Sequence, residues 1–142
     1  MLPIQEWNWN LIKSFDMLNG FTEETKPLTD YEKDTLLPIM IQGLMDKQGK
    51  QKAVKNWWIC KCLQSKGYKI TEARVRKLIN HIRVSGMVIG LIATSEGYYI
   101  ADSIDEVNSY ISSLHGREDA IKAVRVSLER QRDIMYGKGI GR

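Results

Sequence analysis

Apolar side chains recur at helical spacing along most of the chain, and start and stop signals divide this pattern into separate helices. The first predicted helix lies within residues 1–20 and ends at Gly20. Its single apolar stripe comprises Ile4, Trp7, Leu11, Ile12, Phe15 and Leu18. A second helix is predicted behind a capping box formed by Thr29 and Glu32, and Pro38 is expected to kink or divide it.

Two further helices are predicted in the middle of the chain. One spans about residues 54–66 and is stopped by Gly67, and the other runs from its cap, Thr71, to Gly86. The inner face expected for the former comprises Trp58, Ile59, Cys62 and Leu63. The inner face expected for the latter comprises Val75, Leu78, Ile79 and Ile82.

A convincing β pattern follows these helices. Residues 87–93 and 98–101 are rich in β-branched, aromatic and other apolar side chains, and residues 94–97 supply a turn. This pattern predicts a two-stranded hairpin. The expected fold class is therefore mainly α with a small β-hairpin.

Helical signals resume after the hairpin. Ser103 and Glu106 form a second capping box, Gly116 is expected to break the helix that follows, and a final helix is predicted beyond it. The chain is therefore predicted to contain an N-terminal amphipathic extension (1–28), a domain of helices and hairpin (29–102), C-terminal helices (103–136) and a flexible tail (137–142).

Positive charge is concentrated in one segment. The whole chain carries a formal net charge of +4. Residues 47–83 contain eleven lysines and arginines but a single acid, Glu72, so this segment carries +10 and the remainder −6. A basic segment inside an otherwise acidic chain is typical of a protein with a polyanionic partner.

The order of helix, helix, turn, helix and hairpin resembles the winged helix-turn-helix superfamily. Residues 67–83 (GYKITEARVRKLINHIR) are similar to its turn and recognition helix, and residues 90–101 (GLIATSEGYYIA) to its wing. The resemblance extends over about residues 29–131, and it is greatest to uncharacterised winged-helix proteins of bacteriophages and prophages. It implies a winged helix-turn-helix with flanking N- and C-terminal helices, serving as a phage or mobile-element transcription regulator or a replication accessory factor. Glu96 departs from the pattern, since DNA-contacting wing tips usually carry Lys or Arg.

The predicted recognition helix has a polar outer face. At 100° per residue, Ala73, Lys77 and Asn80 face outward with His81 beside them. In the major groove of DNA, Asn pairs with adenine and Lys with guanine. Lys77 and Asn80 are therefore predicted to read bases, and Ala73 and His81 are predicted to contact the base edges beside them. A solvated charged face, common on amphipathic helices, is the alternative interpretation.

Other residues around this helix are candidates for contact with DNA phosphates, which position a protein without specifying sequence. The predicted phosphate contacts are Lys50, Lys52, Lys55, Lys69, Thr71, Arg74, Arg76 and Arg83.

Several function classes are disfavoured. No catalytic motif is evident, so an enzyme is not expected. Cys60 and Cys62 lie two apart on a helix and suit neither a disulfide nor a closed zinc site, so no metal or cofactor is expected. No apolar run approaches the roughly 20 residues of a membrane span, and no signal-peptide pattern is present. A cytoplasmic location, in a bacterium or in a phage host, is therefore expected.

Double-stranded DNA is the expected partner, and two other interactions are left open. A winged-helix protein–protein interaction module without direct DNA binding is the alternative function, with the N-terminal helix as a surface for a protein partner. The second open interaction is a homodimer through the C-terminal helices. Its basis is an approximate heptad, kept despite Gln131 by Ile121, Val124, Leu128 and Met135.

Overall fold

The computed structural model describes residues 23–137. The helix predicted within residues 1–20 and residues 138–142 of the predicted tail lie outside this part of the chain. The described residues up to Asp102 form one compact unit and those from Ser103 onward form another.

The order of elements confirms a mainly helical fold with a small antiparallel hairpin. The elements are α1, a π-helical turn at Glu32–Leu36 that continues as an α-helix at Leu37–Leu44, then α2 (Asn56–Ser65), α3 (Glu72–Ser85), β1 (Leu91–Thr94), β2 (Gly97–Ile100) and α4 (Ile104–Gly137). None of these helices combines the length and apolarity needed to cross a bilayer.

The start of α1 confirms the predicted capping box. The Thr29 N–H donates to Glu32 Oε1 at 2.8 Å, and the Glu32 N–H donates to Thr29 Oγ1 at 3.2 Å. Near Pro38 the helix is divided into a π-helical and an α-helical piece, which join without a gap between Leu36 and Leu37. The Leu37 N–H donates to the carbonyl O of Glu32, which makes the turn before Pro38 wider than an α-helical turn. A regular α-helix would place the ring of Pro38 against the carbonyl of Asp34, four residues earlier. The wider π-helical turn includes Asp34, so it lies where this clash would occur.

The core of the first unit lies between α1, α2, α3 and the hairpin. Its largest fully buried side chains are Leu36, Val75, Leu78, Ile79 and Ile82, four of which are the predicted inner face of α3. The structure therefore confirms the buried face that the sequence predicts for α3.

The inner face predicted for α2 is partly wrong. Cys60 and Leu63 are its buried residues, whereas Trp58 is 49% exposed and Cys62 is half-buried. Cys60 Sγ lies 3.8 Å from the carbonyl O of Ile70, so this small side chain faces the turn that precedes α3. A tryptophan ring would not fit in the same close contact, which explains why α2 is rotated relative to the prediction.

The hairpin is hydrogen-bonded on both sides of β2. On one side β2 pairs with β1, with Leu91 opposite Ile100. On the other side, the connection between α1 and α2 forms isolated bridges at Gln48 and Val54. The Val54 N–H donates to Tyr98 O at 3.0 Å, and the Tyr98 N–H donates to Val54 O at 2.7 Å. The sheet therefore ties the segment before α2 to the hairpin.

α4 is a single helix of 34 residues, and the predicted break at Gly116 is wrong. A glycine inside a helix costs only about 1 kcal/mol relative to alanine, which the helix-forming residues on either side can outweigh. The predicted second capping box starts the helix, with the Glu106 N–H donating to Ser103 Oγ at 3.2 Å. No residue of this described helix is buried.

Candidate nucleic-acid interface

The signals predicted for the ends of α3 are present in the structure. Thr71 Oγ1 accepts a hydrogen bond from the Arg74 N–H at 3.2 Å, as an N-cap residue does. At the other end, Gly86 has φ 72° and ψ 20°, the left-handed conformation that favours glycine. The helix therefore has defined ends, and its buried inner face sets the direction of the outer face.

The outer face of α3 and the hairpin border one open groove of about 480 Å³. The structure brings four predicted contact residues together along it with two hairpin residues, namely Arg76, Lys77, Asn80, Arg83, Ala93 and Tyr98. Asn80 is exposed and Lys77 is half-buried, so the described chain encloses neither side chain completely. An amide and three cations consequently lie along the same concave surface.

The other two residues predicted near base edges lie apart from this lining. Ala73 and His81 are both half-buried on α3. The groove runs along the side of α3 that carries Arg76, Asn80 and Arg83, so it is rotated toward the hairpin relative to the outer face predicted from the helical wheel.

Arg74 is buried, which corrects its prediction as a phosphate contact. Only 8% of it is exposed, and its guanidinium forms a two-pronged ion pair with Glu32 at 2.6 and 2.7 Å. The same guanidinium donates to the carbonyl oxygens of Glu23 at 2.6 Å, Lys26 at 3.0 Å and Pro27 at 3.1 Å. With its donors taken by protein acceptors, Arg74 holds the segment before α1 against α3.

Glu32 is the counterpart of this buried arginine. The hydrogen bonds from the Arg74 side chain hold the pKa of the Glu32 carboxyl below its usual range, despite the opposing effect of burial. The backbone N–H of Thr29 also lowers this pKa. The carboxylate thus stays ionised and serves both the capping box and the ion pair.

An acidic side chain lies at the edge of the groove. Glu24 Oε2 accepts a hydrogen bond from Arg76 Nε at 3.2 Å, and each of these two side chains is a little over two-fifths exposed. Exposed pairs of this kind contribute at most about 1 kcal/mol. Arg76 is therefore held loosely and can exchange Glu24 for a stronger anion.

Asn56 connects three parts of the fold and was not singled out from the sequence. Its Nδ2 donates to the carbonyl O of Glu72 at 2.9 Å, and its Oδ1 accepts from the Tyr98 hydroxyl at 2.8 Å. Burial raises the pKa of Tyr98, against the lowering effect of Arg76 and Arg83. Asn56 is the first residue of α2, and its polar side chain at a helix start was the available signal.

The predicted phosphate-contacting lysines are exposed. Lys50 and Lys52 lie in a short 3₁₀ turn, Lys55 precedes α2 and Lys69 precedes α3. Within residues 23–137, none of these four ammonium groups takes part in an ion pair of the structure. Thr71 is also exposed, although its hydroxyl already caps α3.

No cluster of three or more metal-binding side chains occurs among the described residues. Comparisons of the chain with protein-family models, with curated proteins and with solved structures found no match.

Proposed function

We propose that this protein binds double-stranded DNA as a winged helix-turn-helix, with α3 entering the major groove and the β1–β2 hairpin acting as the wing. Three helices followed by an antiparallel hairpin support this arrangement, as does the bridge between Val54 and β2. An α-helix fits the major groove of B-DNA, where each base pair presents a distinct set of donors and acceptors.

One observation carries the proposal. Lys77 and Asn80, the two predicted base readers, line the same groove as Arg76 and Arg83, and the hairpin forms its other wall. In this assignment Asn80 and Lys77 read bases, while the two arginines and the exposed lysines before α2 and α3 contact phosphates. Arg74 takes no part, since it is buried. Selective binding of this kind suits a transcription regulator or a replication accessory factor of a phage or mobile element.

The decisive experiment begins with selection of duplexes from a random pool, followed by titration of the selected duplex. Asn80→Ala and Lys77→Ala are each expected to weaken binding on the order of tenfold and to relax the preference at one base pair. Asn108→Ala and Lys33→Ala, which change exposed residues on α4 and α1, are the matched controls and should leave affinity unchanged. Absence of duplex binding by the unaltered chain at low salt would overturn the proposal.

A second candidate function is a protein-interaction module on the same fold. The favouring observation is a pair of half-exposed tryptophans on α2, Trp57 and Trp58, whose rings meet edge to face with centroids 5.9 Å apart. Half-exposed aromatic side chains are frequent anchors of protein interfaces. Charge reversal separates the two candidates, because Lys77→Glu should abolish duplex binding but leave a partner bound at the tryptophans unaffected.

A further inference from the structure

α4 carries an exposed apolar stripe along its length. All 34 of its residues are at least partly exposed, and in its middle Ile121 is 70%, Val124 60% and Leu128 57% exposed. These three side chains border a shallow surface groove along the helix. Exposed apolar stripes of this length mark surfaces that bind another protein.

The stripe has the spacing of a coiled coil over three heptads. Steps of three and four residues alternate through seven positions, here called the seam: Leu114, Arg117, Ile121, Val124, Leu128, Gln131 and Met135. Most helical stability in proteins comes from packing an apolar face and not from the helix propensity of the residues. The seam would supply that packing if it met a complementary helix.

We propose that α4 pairs with α4 of a second copy of this chain in an antiparallel coiled coil. The charge distribution along α4 favours pairing with the same helix of a second copy, in the antiparallel direction. Residues 104–120 carry four acids and one arginine, whereas residues 121–137 carry four cations and two acids. Antiparallel pairing places the half with net charge −3 beside the half with net charge +2, and parallel pairing would place like beside like.

Arg117 gives a second argument for the antiparallel direction. In a parallel pair in register, each seam residue faces its own copy, so two Arg117 guanidinium groups would meet in the core. Antiparallel pairing centred between Ile121 and Val124 instead places Arg117 opposite Leu128 of the second copy. Its charged end can then extend to the edge of the interface while its methylene groups pack on the leucine.

The same centre sets the flanking contacts. Ile121 faces Val124 of the second copy in both central layers, and Glu118 faces Arg125 of the second copy on both sides of the seam. Shifting the centre by half a heptad in either direction would oppose Glu118 to Glu118 or Arg125 to Arg125. Arg125 is exposed and pairs within its own helix with Glu129 at 2.6 Å, so its guanidinium lies at the surface, as this contact requires.

The test measures the mass of the full chain in solution by sedimentation equilibrium. The unaltered chain is expected to have twice the mass of one copy. Glu118→Arg and Arg125→Glu should each raise the dissociation constant of the dimer on the order of tenfold, because each change replaces two attractive contacts by repulsive ones. Combining both changes in one chain exchanges the charges and should restore the original dissociation constant.

Matched controls lie on the outer side of the helix, where Asp119→Arg and Arg130→Glu make the same charge changes on the face away from the seam. These two variants should dimerise like the unaltered chain. A monomeric unaltered chain would overturn the proposal, and so would a double variant that dimerises as weakly as the single variants. Since mass is the readout, the result does not depend on whether the protein binds DNA.

Discussion

At the scale of single residues, Glu32 joins the cap of α1 to the buried guanidinium of Arg74. Only 7% of the Glu32 side chain and 10% of the Arg74 side chain are exposed. Removing one partner of such a pair leaves a buried charge without compensation, which is far more costly than losing an exposed ion pair. The attachment of residues 23–32 to α3 therefore depends on both side chains.

Glu32→Gln is expected to reduce the free energy of unfolding at neutral pH by roughly 3 kcal/mol, because Arg74 loses its counter-charge. Folding lowers the pKa of Glu32, so its contribution is complete above the ordinary value of 4.5 and is lost as the pH falls through the lower pKa of the folded state. The variant should therefore lose less stability in acid than the unaltered chain does. Urea unfolding at a series of pH values measures both effects.

Asp34→Asn is the matched control for this change, since Asp34 is an exposed acid two residues further along α1. It should alter neither the stability at neutral pH nor its dependence on acid. Equal acid sensitivity of the Glu32→Gln variant and the unaltered chain would contradict the role assigned to the pair.

Glu24 is expected to oppose duplex binding, because its carboxylate occupies the Arg76 guanidinium at the edge of the groove. Glu24→Gln removes the competing charge and should strengthen duplex binding roughly twofold to fivefold at low salt, an effect that added salt diminishes. Asp30→Asn, an exposed acid in the same segment, should have no such effect. Fluorescence anisotropy with a labelled duplex distinguishes the two variants, and equal gains from both would exclude a specific contact.

The burial of Arg74 could not be predicted from the sequence. The periodicity of α3 gave its buried face correctly, because residues on one helix face have fixed spacing. It could not distinguish Arg74 from Arg76, since both lie beside that face. The distinguishing partner, Glu32, is 42 residues away and is brought close only by the fold.

At the scale of elements, the hairpin is fastened to the start of α2 by a contact that only glycine permits. Gly97 has φ 120°, a conformation that other residues rarely adopt. A Cβ atom at this position would lie 2.5 Å from the carbonyl O of Val54, which is itself bonded to β2. The turn of the hairpin and the segment leading to Lys55 therefore have a fixed separation.

Gly97→Ala is expected to destabilise the protein by at least about 2 kcal/mol, since backbone strain and a collision with Val54 add together. Gly67→Ala is the matched control: Gly67 also has a positive φ of 89°, but a Cβ there would meet nothing within 4 Å. Thermal unfolding of the two variants separates collision from strain. If both lost the same stability, the close contact with Val54 would have no energetic role.

Elements with local signals were predicted well, and those defined by distant partners were not. Thr71 and Gly86 marked the ends of α3, since capping involves neighbouring residues. The bridges from Gln48 and Val54 to β2 join residues more than forty positions apart, so the connection before α2 showed no β pattern. The predicted break at Gly116 overstated the low helix propensity of glycine, which the helix-forming residues on either side outweigh.

At the scale of the whole molecule, the concentrated positive charge is divided between internal and external roles. Arg74 is neutralised inside the fold by Glu32, and Arg76 is shared with Glu24. Lys50, Lys52 and Lys55 remain exposed on the segment that the sheet holds beside the hairpin. If α3 enters the major groove, we expect this segment to follow the adjoining phosphate backbone.

Replacing Lys50, Lys52 and Lys55 together by alanine is expected to reduce the slope of log affinity against log salt concentration by about 2 to 3, because each neutralised phosphate contributes about 0.9. Base preference should be retained, since Lys77 and Asn80 are unchanged.

The matched control replaces Lys33, Lys61 and Lys66, three exposed lysines that are not predicted to contact phosphates, and lowers the net charge of +4 by the same amount. Titrations of one duplex at several salt concentrations compare the two variants. An equal loss of slope in both would mean that overall charge, and not this segment, attracts DNA. A loss confined to the first variant would place the phosphate backbone along the segment before α2.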